Sequence, residues 1–130
     1  MGNPIILIVD DEQETRKTLN EYLSRRIKCD IVEAENGYEA IARLGEHAID
    51  LVLLDIKMPG ISGTEVIKKV QEGSKGTAVI VMTKWDSSEI SARLEKMGVE
   101  YIPKPFSLKV VQTKVEEKLK AKGKFLLKQG

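Results

Sequence analysis

Three aspartates, a threonine and a lysine stand where apolar runs stop. Ile5-Ile6-Leu7-Ile8-Val9 runs into Asp10-Asp11, Leu51-Val52-Leu53-Leu54 into Asp55, and Ala78-Val79-Ile80-Val81-Met82 into Thr83. Val99-Glu100-Tyr101-Ile102 is followed, after Pro103, by Lys104-Pro105. A carboxylate resists burial unless it is paired, so a chain that ends apolar segments on acids needs a use for them. Two carboxylates about 5 Å apart at an effective dielectric near 20 repel by roughly 3 kcal/mol. Three together either take up protons or recruit positive charge. Lys104 offsets one charge, and a hard divalent cation offsets two. Oxygen ligands with no His or Cys beside them in sequence favour Mg²⁺ over zinc. Next to Mg²⁺, an ammonium and a hydroxyl, a carboxylate can attack phosphorus, and the cations neutralise the phosphoryl oxygens in the transition state. The set therefore describes a phosphoryl-transfer site with Asp55 as the attacking group, assisted by Thr83 and Lys104.

The elements that must deliver these residues alternate along the chain. Short β-branched runs at 5–9, 51–55 and 78–83 have the composition of strands buried on both faces. Asp30-Ile31-Val32-Glu33-Ala34 alternates polar and apolar, as a less buried edge strand does, and Val99 to Ile102 is a short fifth strand. Helical spacing links Leu19, Tyr22, Leu23 and Ile27, then Ile41 and Leu44, then Val66, Ile67 and Val70. It returns in Ile90, Leu94 and Met97 and in Leu108, Val111, Val115 and Leu119. Asn36-Gly37 is a turn signal, Asp86-Ser87-Ser88 offers an N-cap, and Gly98 and Gly123 are helix stops. Five β-α repeats imply a single α/β domain: a parallel sheet with helices on both faces. Ligands of such sheets bind outside the carboxyl ends of the strands. That rim receives Asp10, Asp11, Asp55, Thr83 and Lys104, whereas the edge strand, ending in Ala34-Glu35, adds nothing to the site.

Composition sets bounds on function. The 130 residues suit one domain, with 42% hydrophobic and 32% charged side chains. A net charge of +1 gives no whole-chain case for nucleic acid or membrane binding. There is no run of about 20 apolar residues and no basic-then-apolar leader pattern at the start. The one cysteine, Cys29, fits a reducing compartment, so a cytoplasmic location is expected. Residues 1–122 are expected to form the domain, and 123–130 a basic and apolar tail. That tail either solvates a helix end or links to an output domain. His47 reads as a solvent-facing helix end, and Cys29 as inert.

The motifs ILIVDDE (6–12), LVLLDIKMPGISG (51–63), VIVMT (79–83) and YIPKPF (101–106), in this order, resemble the receiver domain of two-component response regulators. The resemblance runs from residue 5 to about 120. It implies a flavodoxin-like (βα)5 fold with strand order 2-1-3-4-5. It further implies that Asp55 accepts a phosphoryl group from a phosphohistidine on a sensor histidine kinase or phosphotransfer protein. Asp11 then ligates Mg²⁺ directly, Asp10 does so directly or through water, and the Lys57 backbone carbonyl adds a ligand, with Mn²⁺ as a substitute ion. Thr83 and Lys104 contact the phosphoryl group, the bond before Pro105 is cis, and Tyr101 is an aromatic switch, although packing alone also explains a tyrosine there. The surface of the fourth helix, fifth strand and fifth helix would carry the change to an output domain or protein target. Direct nucleic-acid or membrane contact is not expected, and a phosphorylation-dependent homodimer stays open. Lys84 departs from the small residue usual after the threonine and is expected to slow dephosphorylation; Trp85, expected near the site, is a second candidate modulator. The competing functions are a Mg²⁺-dependent aspartyl-phosphate phosphatase and a receiver that binds partners without phosphorylation. The first typically needs an acid two residues after the nucleophile, where this chain has Lys57. The complete acidic, hydroxyl and lysine set argues against the second. The chain is thus expected to be a switch rather than an enzyme acting on other molecules.

Overall fold

The computed structural model describes residues 2–56, 63–73, 76–84 and 88–125, the side chains of 88–90 excepted. Among the described residues, five strands alternate with five helices. They are β1 (Ile5–Val9), α1 (Gln13–Arg26), β2 (Asp30–Ala34), α2 (Gly37–Glu46), β3 (Leu51–Asp55), α3 (Gly63–Gly73), β4 (Ala78–Thr83), α4 (Ser88–Lys96), β5 (Glu100–Pro103) and α5 (Leu108–Ala121). All pairings are parallel and the strand order is 2-1-3-4-5, as the resemblance implies.

The strand period of two divides each β run between two cores. Leu7, Val9, Val52, Leu54 and Val81 meet Ala40 of α2, Val66, Ile67 and Val70 of α3, and Leu94 of α4. Ile6, Ile8, Leu51, Leu53, Ile80 and Met82 meet Leu19 and Leu23 of α1 and Val111, Val115 and Leu119 of α5. Burial on both faces is why β1 and β3 are continuously apolar. β2, at the edge, is less buried along most of its length.

Two local expectations are corrected. Asn36-Gly37 is not a free-standing turn but the start of α2. The Asn36 side chain accepts the Glu39 N–H at 2.8 Å, and Glu39 Oε1 accepts the Glu35 N–H at 2.9 Å. These bonds satisfy amides that a helix start leaves unpaired. Val99 precedes β5 instead of opening it. With Gly98 at φ 72°, the Val99 N–H bonds back to Leu94 O at 3.0 Å and closes α4, so it is spent before the strand begins. Gly123, at φ 70°, closes α5 as expected, with the Lys124 N–H on Leu119 O at 2.8 Å. The predicted cap residues Asp86 and Ser87 lie outside the described residues.

Candidate functional site

Register brings the carboxylates together. Val9 of β1 lies opposite Leu54 of β3, so Asp10 and Asp55 each follow by one residue on adjacent strands. Oxygens of Asp10, Asp11 and Asp55 all come within 4.8 Å of one another. Asp10 is fully buried, Asp55 is 6% exposed, and Asp11 faces solvent. Thr83, buried at the end of β4, lies opposite Pro103 of β5. Its carbonyl accepts the Lys104 N–H at 2.7 Å, which fixes the start of the loop that carries Lys104. The Lys104–Pro105 peptide is cis.

Lys104 turns inward between two acids. Its Nζ donates to Asp10 Oδ2 at 2.7 Å and to Asp55 Oδ2 at 3.3 Å. Burial disfavours the ammonium, but Asp10 and Asp55 outweigh burial and raise its pKa above the ordinary lysine value. The lysine therefore stays charged. The other Asp10 oxygen, Oδ1, accepts the Glu12 N–H at 2.9 Å, so this carboxylate also serves the entry to α1. The donor set fits a hard divalent cation. Three carboxylates converge beside an open cavity of about 300 Å³ lined by Asp11, Glu12, Asp55 and Lys84. They hold more negative charge than one lysine neutralises.

Lys84 stands at the mouth, 67% exposed along its side chain, with Nζ 3.7 Å from Glu12 Oε1. Both residues also line a second cavity, about 520 Å³, together with Thr15, Lys104, Pro105 and Phe106. Tyr101 is at the protein surface, and its hydroxyl accepts a hydrogen bond from Ser91 Oγ at 3.1 Å. Lys57 and Trp85 lie outside the described residues.

The edge strand touches the site only indirectly, through α1. Glu33 of β2 accepts Arg16 Nε at 3.1 Å, and Arg16 Nη1 donates to the Asp10 carbonyl at 2.7 Å. One signal was available. Arg16 and Asn20 share a face of α1 shortly after the acidic pair, at i and i+4. Their common partner lies on another element, and spacing does not show that.

This fold and site match known proteins. The chain matches the response regulator receiver domain over residues 6–116. It belongs to the response regulator receiver family. The receiver domain is 42% identical to the transcriptional regulatory protein ResD of Bacillus subtilis over 116 residues, 88% of this chain. It spans only 48% of ResD's length. It is 32% identical to sporulation initiation phosphotransferase F of the same species, with 95% of this chain and 99% of that one covered. Among solved structures, a CheY-like receiver domain protein from Methanospirillum hungatei aligns with a TM-score of 0.87 at 29% identity, over 95% of this chain and 98% of that one. Receiver domains are the phosphoacceptor switches of two-component signalling. They interact with histidine kinases or phosphotransfer proteins and typically bind Mg²⁺ at an acidic cluster.

Proposed function

We propose that this receiver domain takes a phosphoryl group onto Asp55 from a phosphohistidine of a sensor histidine kinase or phosphotransfer protein. An Asp55 oxygen attacks phosphorus, the P–N bond of the donor breaks, and its electron pair remains on the imidazole. The observation that carries this reading is the placement of Asp55 beside Asp10 and Asp11, with Lys104 held charged between two of the three acids. Asp10, Asp11, Asp55 and the Lys57 carbonyl would hold Mg²⁺, or Mn²⁺ in its place, which when bound would offset charge on the phosphoryl oxygens.

The chain's own groups supply the rest. Lys104, already 3.3 Å from Asp55 Oδ2, would meet the new dianion. Thr83 offers a hydroxyl from the same rim. Drawing both toward the phosphoryl group would release the outward Tyr101 position and alter the α4–β5–α5 surface. Moving a two-state element from 1:99 to 99:1 takes about 5.5 kcal/mol of differential interaction. A dianion meeting two cations and a hydroxyl in a partly buried site is of the right order. Lys84 at the mouth would shield the acyl phosphate from water. The output domain or protein target would read the changed surface, as a homodimer or otherwise. The reading assigns this domain a cytoplasmic setting and no direct contact with nucleic acid or membrane; among the described residues no helix is long and apolar enough to cross a membrane.

Acetyl phosphate with Mg²⁺ separates the switch from its competitors. The switch predicts at most one phosphoryl group per chain, with inorganic phosphate released slowly. Sustained multiple-turnover release would favour the phosphatase, and no adduct would favour the partner-binding form.

A further inference from the structure

A line of hydrogen bonds runs from the edge strand to the peptide that joins the two acidic residues. Asn20 Nδ2 donates to Glu33 Oε2 at 2.9 Å. Arg16 Nε takes the other Glu33 oxygen at 3.1 Å. Arg16 Nη1 then donates to the Asp10 carbonyl at 2.7 Å. The Arg16 side chain is 13% exposed, so these bonds are not easily exchanged for water. A guanidinium is a rigid plane, so anchoring Nε on Glu33 also sets the direction in which Nη1 points.

The bond to the Asp10 carbonyl matters because of what else holds that residue. The Asp10 N–H is bonded to Ala34 O at 3.1 Å, and its carboxylate is held by the Glu12 N–H and by Lys104. The carbonyl is the remaining backbone handle, and its peptide carries Asp11, the solvent-facing member of the acidic group. Turning that peptide changes the direction from which Asp11 approaches Asp55.

We infer that Arg16, aimed by Glu33, is a positioning residue for cation binding: it sets the plane of the Asp10–Asp11 peptide and so the direction in which Asp11 presents its carboxylate. This inference rests on the cation reading of the acidic group. It predicts a sign that charge alone does not. A guanidinium near a cation site repels the incoming ion, so electrostatics alone would make loss of Arg16 tighten Mg²⁺ binding. A positioning role makes the same loss weaken it.

The test is Mg²⁺ titration by calorimetry on the full chain, with thermal unfolding of each protein in chelator. The variants are Arg16→Lys, which keeps the charge and loses the fork, Arg16→Met, Glu33→Gln, and the double variant Arg16→Met with Glu33→Gln. Removing an outer-shell partner of a metal ligand costs roughly tenfold in affinity or more. Arg16→Lys is expected to weaken Mg²⁺ by about that factor, and Glu33→Gln by a smaller one. The double variant should bind no more weakly than Arg16→Met alone, because Glu33 acts only through Arg16. Glu33 is only half-buried, so its variant stays readable should an Arg16 variant fail to fold, and unchanged Mg²⁺ affinity in Glu33→Gln overturns its aiming role. Unchanged affinity in Arg16→Lys, tighter binding in Arg16→Met, or a lower melting temperature with unchanged affinity each overturns the positioning role. A wild-type chain that binds no Mg²⁺ overturns the cation reading and this inference with it. Normal wild-type binding with unaltered variants overturns this inference alone.

Discussion

Lys104 brings a positive charge into a place where 7% of its side chain remains exposed, because two acids arrive there first. Removing one partner of a buried ion pair typically costs 3–5 kcal/mol, since the opposing charge is left uncompensated. Lys104→Met is therefore expected to lower unfolding stability by roughly 3 kcal/mol in chelator, measured by urea denaturation. Added Mg²⁺ should recover more stability in this variant than in the wild type, because it replaces the missing cation. A variant as stable as the wild type in chelator would show that the acids do not need Lys104. Lys84 poses the converse question. Its salt bridge to Glu12 is solvent-exposed and contributes little to stability, so its role is argued from its place at the mouth. Lys84→Ala is expected to shorten the lifetime of phosphorylated Asp55 several-fold, followed by loss of the phosphoryl adduct after the donor is removed. An unchanged lifetime removes Lys84 from the account. At this scale the sequence was informative because a charge after an apolar run is costly and so marks a use. Glu33 was not legible, because a glutamate on a half-exposed strand carries no such cost until its partner on α1 is seen.

The link between β3 and α3 depends on a residue without a side chain. A Cβ built on Gly63 would lie 2.5 Å from Ile56 Cα and 2.9 Å from its Cγ1. The first residue of α3 therefore packs directly on the backbone that follows Asp55. Gly63→Ala forces that backbone to move, and overpacking of this kind typically costs about 1–3 kcal/mol. The expected result is a lower denaturant midpoint with an unchanged slope, together with slower phosphorylation of Asp55. A fully stable Gly63→Ala protein would contradict the close approach. Element boundaries were harder to read than element types. Asn-Gly serves equally as a turn and as a cap followed by a first helical residue, and the deciding bond from Glu39 lies two residues past Gly37. Val99 belongs to an apolar run, yet its N–H closes α4. Hydrophobicity marks burial, and it does not show which neighbour takes a backbone amide.

Across the whole molecule, the parallel sheet gathers function at one rim and ties the chain together at the other. Asp50, just before β3, accepts the Ile5 N–H at 2.9 Å and Lys124 Nζ at 2.6 Å. Lys122 Nζ bonds the Asp50 carbonyl at 2.8 Å and the Gly76 carbonyl. Phe125 packs against the α1–α5 core, under Lys120. Burial raises the Asp50 pKa, but Lys124, the Ile5 amide and Lys122 together bring it below the ordinary value of 3.8. Glu100 is lowered from 4.5, first by its hydrogen bond from Lys118 and, against burial, also by Lys114. A depressed carboxyl binds fewer protons folded than unfolded. Its contribution is present above the ordinary value and is lost as pH falls through the folded value. Lys124 is half exposed, so Lys124→Met should cost at most about 1 kcal/mol at pH 7. That gap should close as the pH is taken below 3.8 and Asp50 protonates, followed by urea unfolding across the acid range. A gap that does not change with pH would deny the pairing. The fold was legible because five alternations of run and helix allow few arrangements, and all parallel strands send their carboxyl ends the same way. The tie between residues 50 and 124 was not, since a lysine-rich end looks the same whether it is solvated or docked.

On the proposed function, the gathered acids need a dication before Asp55 can capture phosphorus. The most direct measurement of that need is peptide mapping by mass spectrometry after incubation with acetyl phosphate, once with Mg²⁺ and once with chelator. A single phosphoryl group is expected on the peptide containing Asp55 with Mg²⁺, and none when Mg²⁺ is removed. A phosphoryl group on another residue, or the same yield on Asp55 in chelator, would contradict that function.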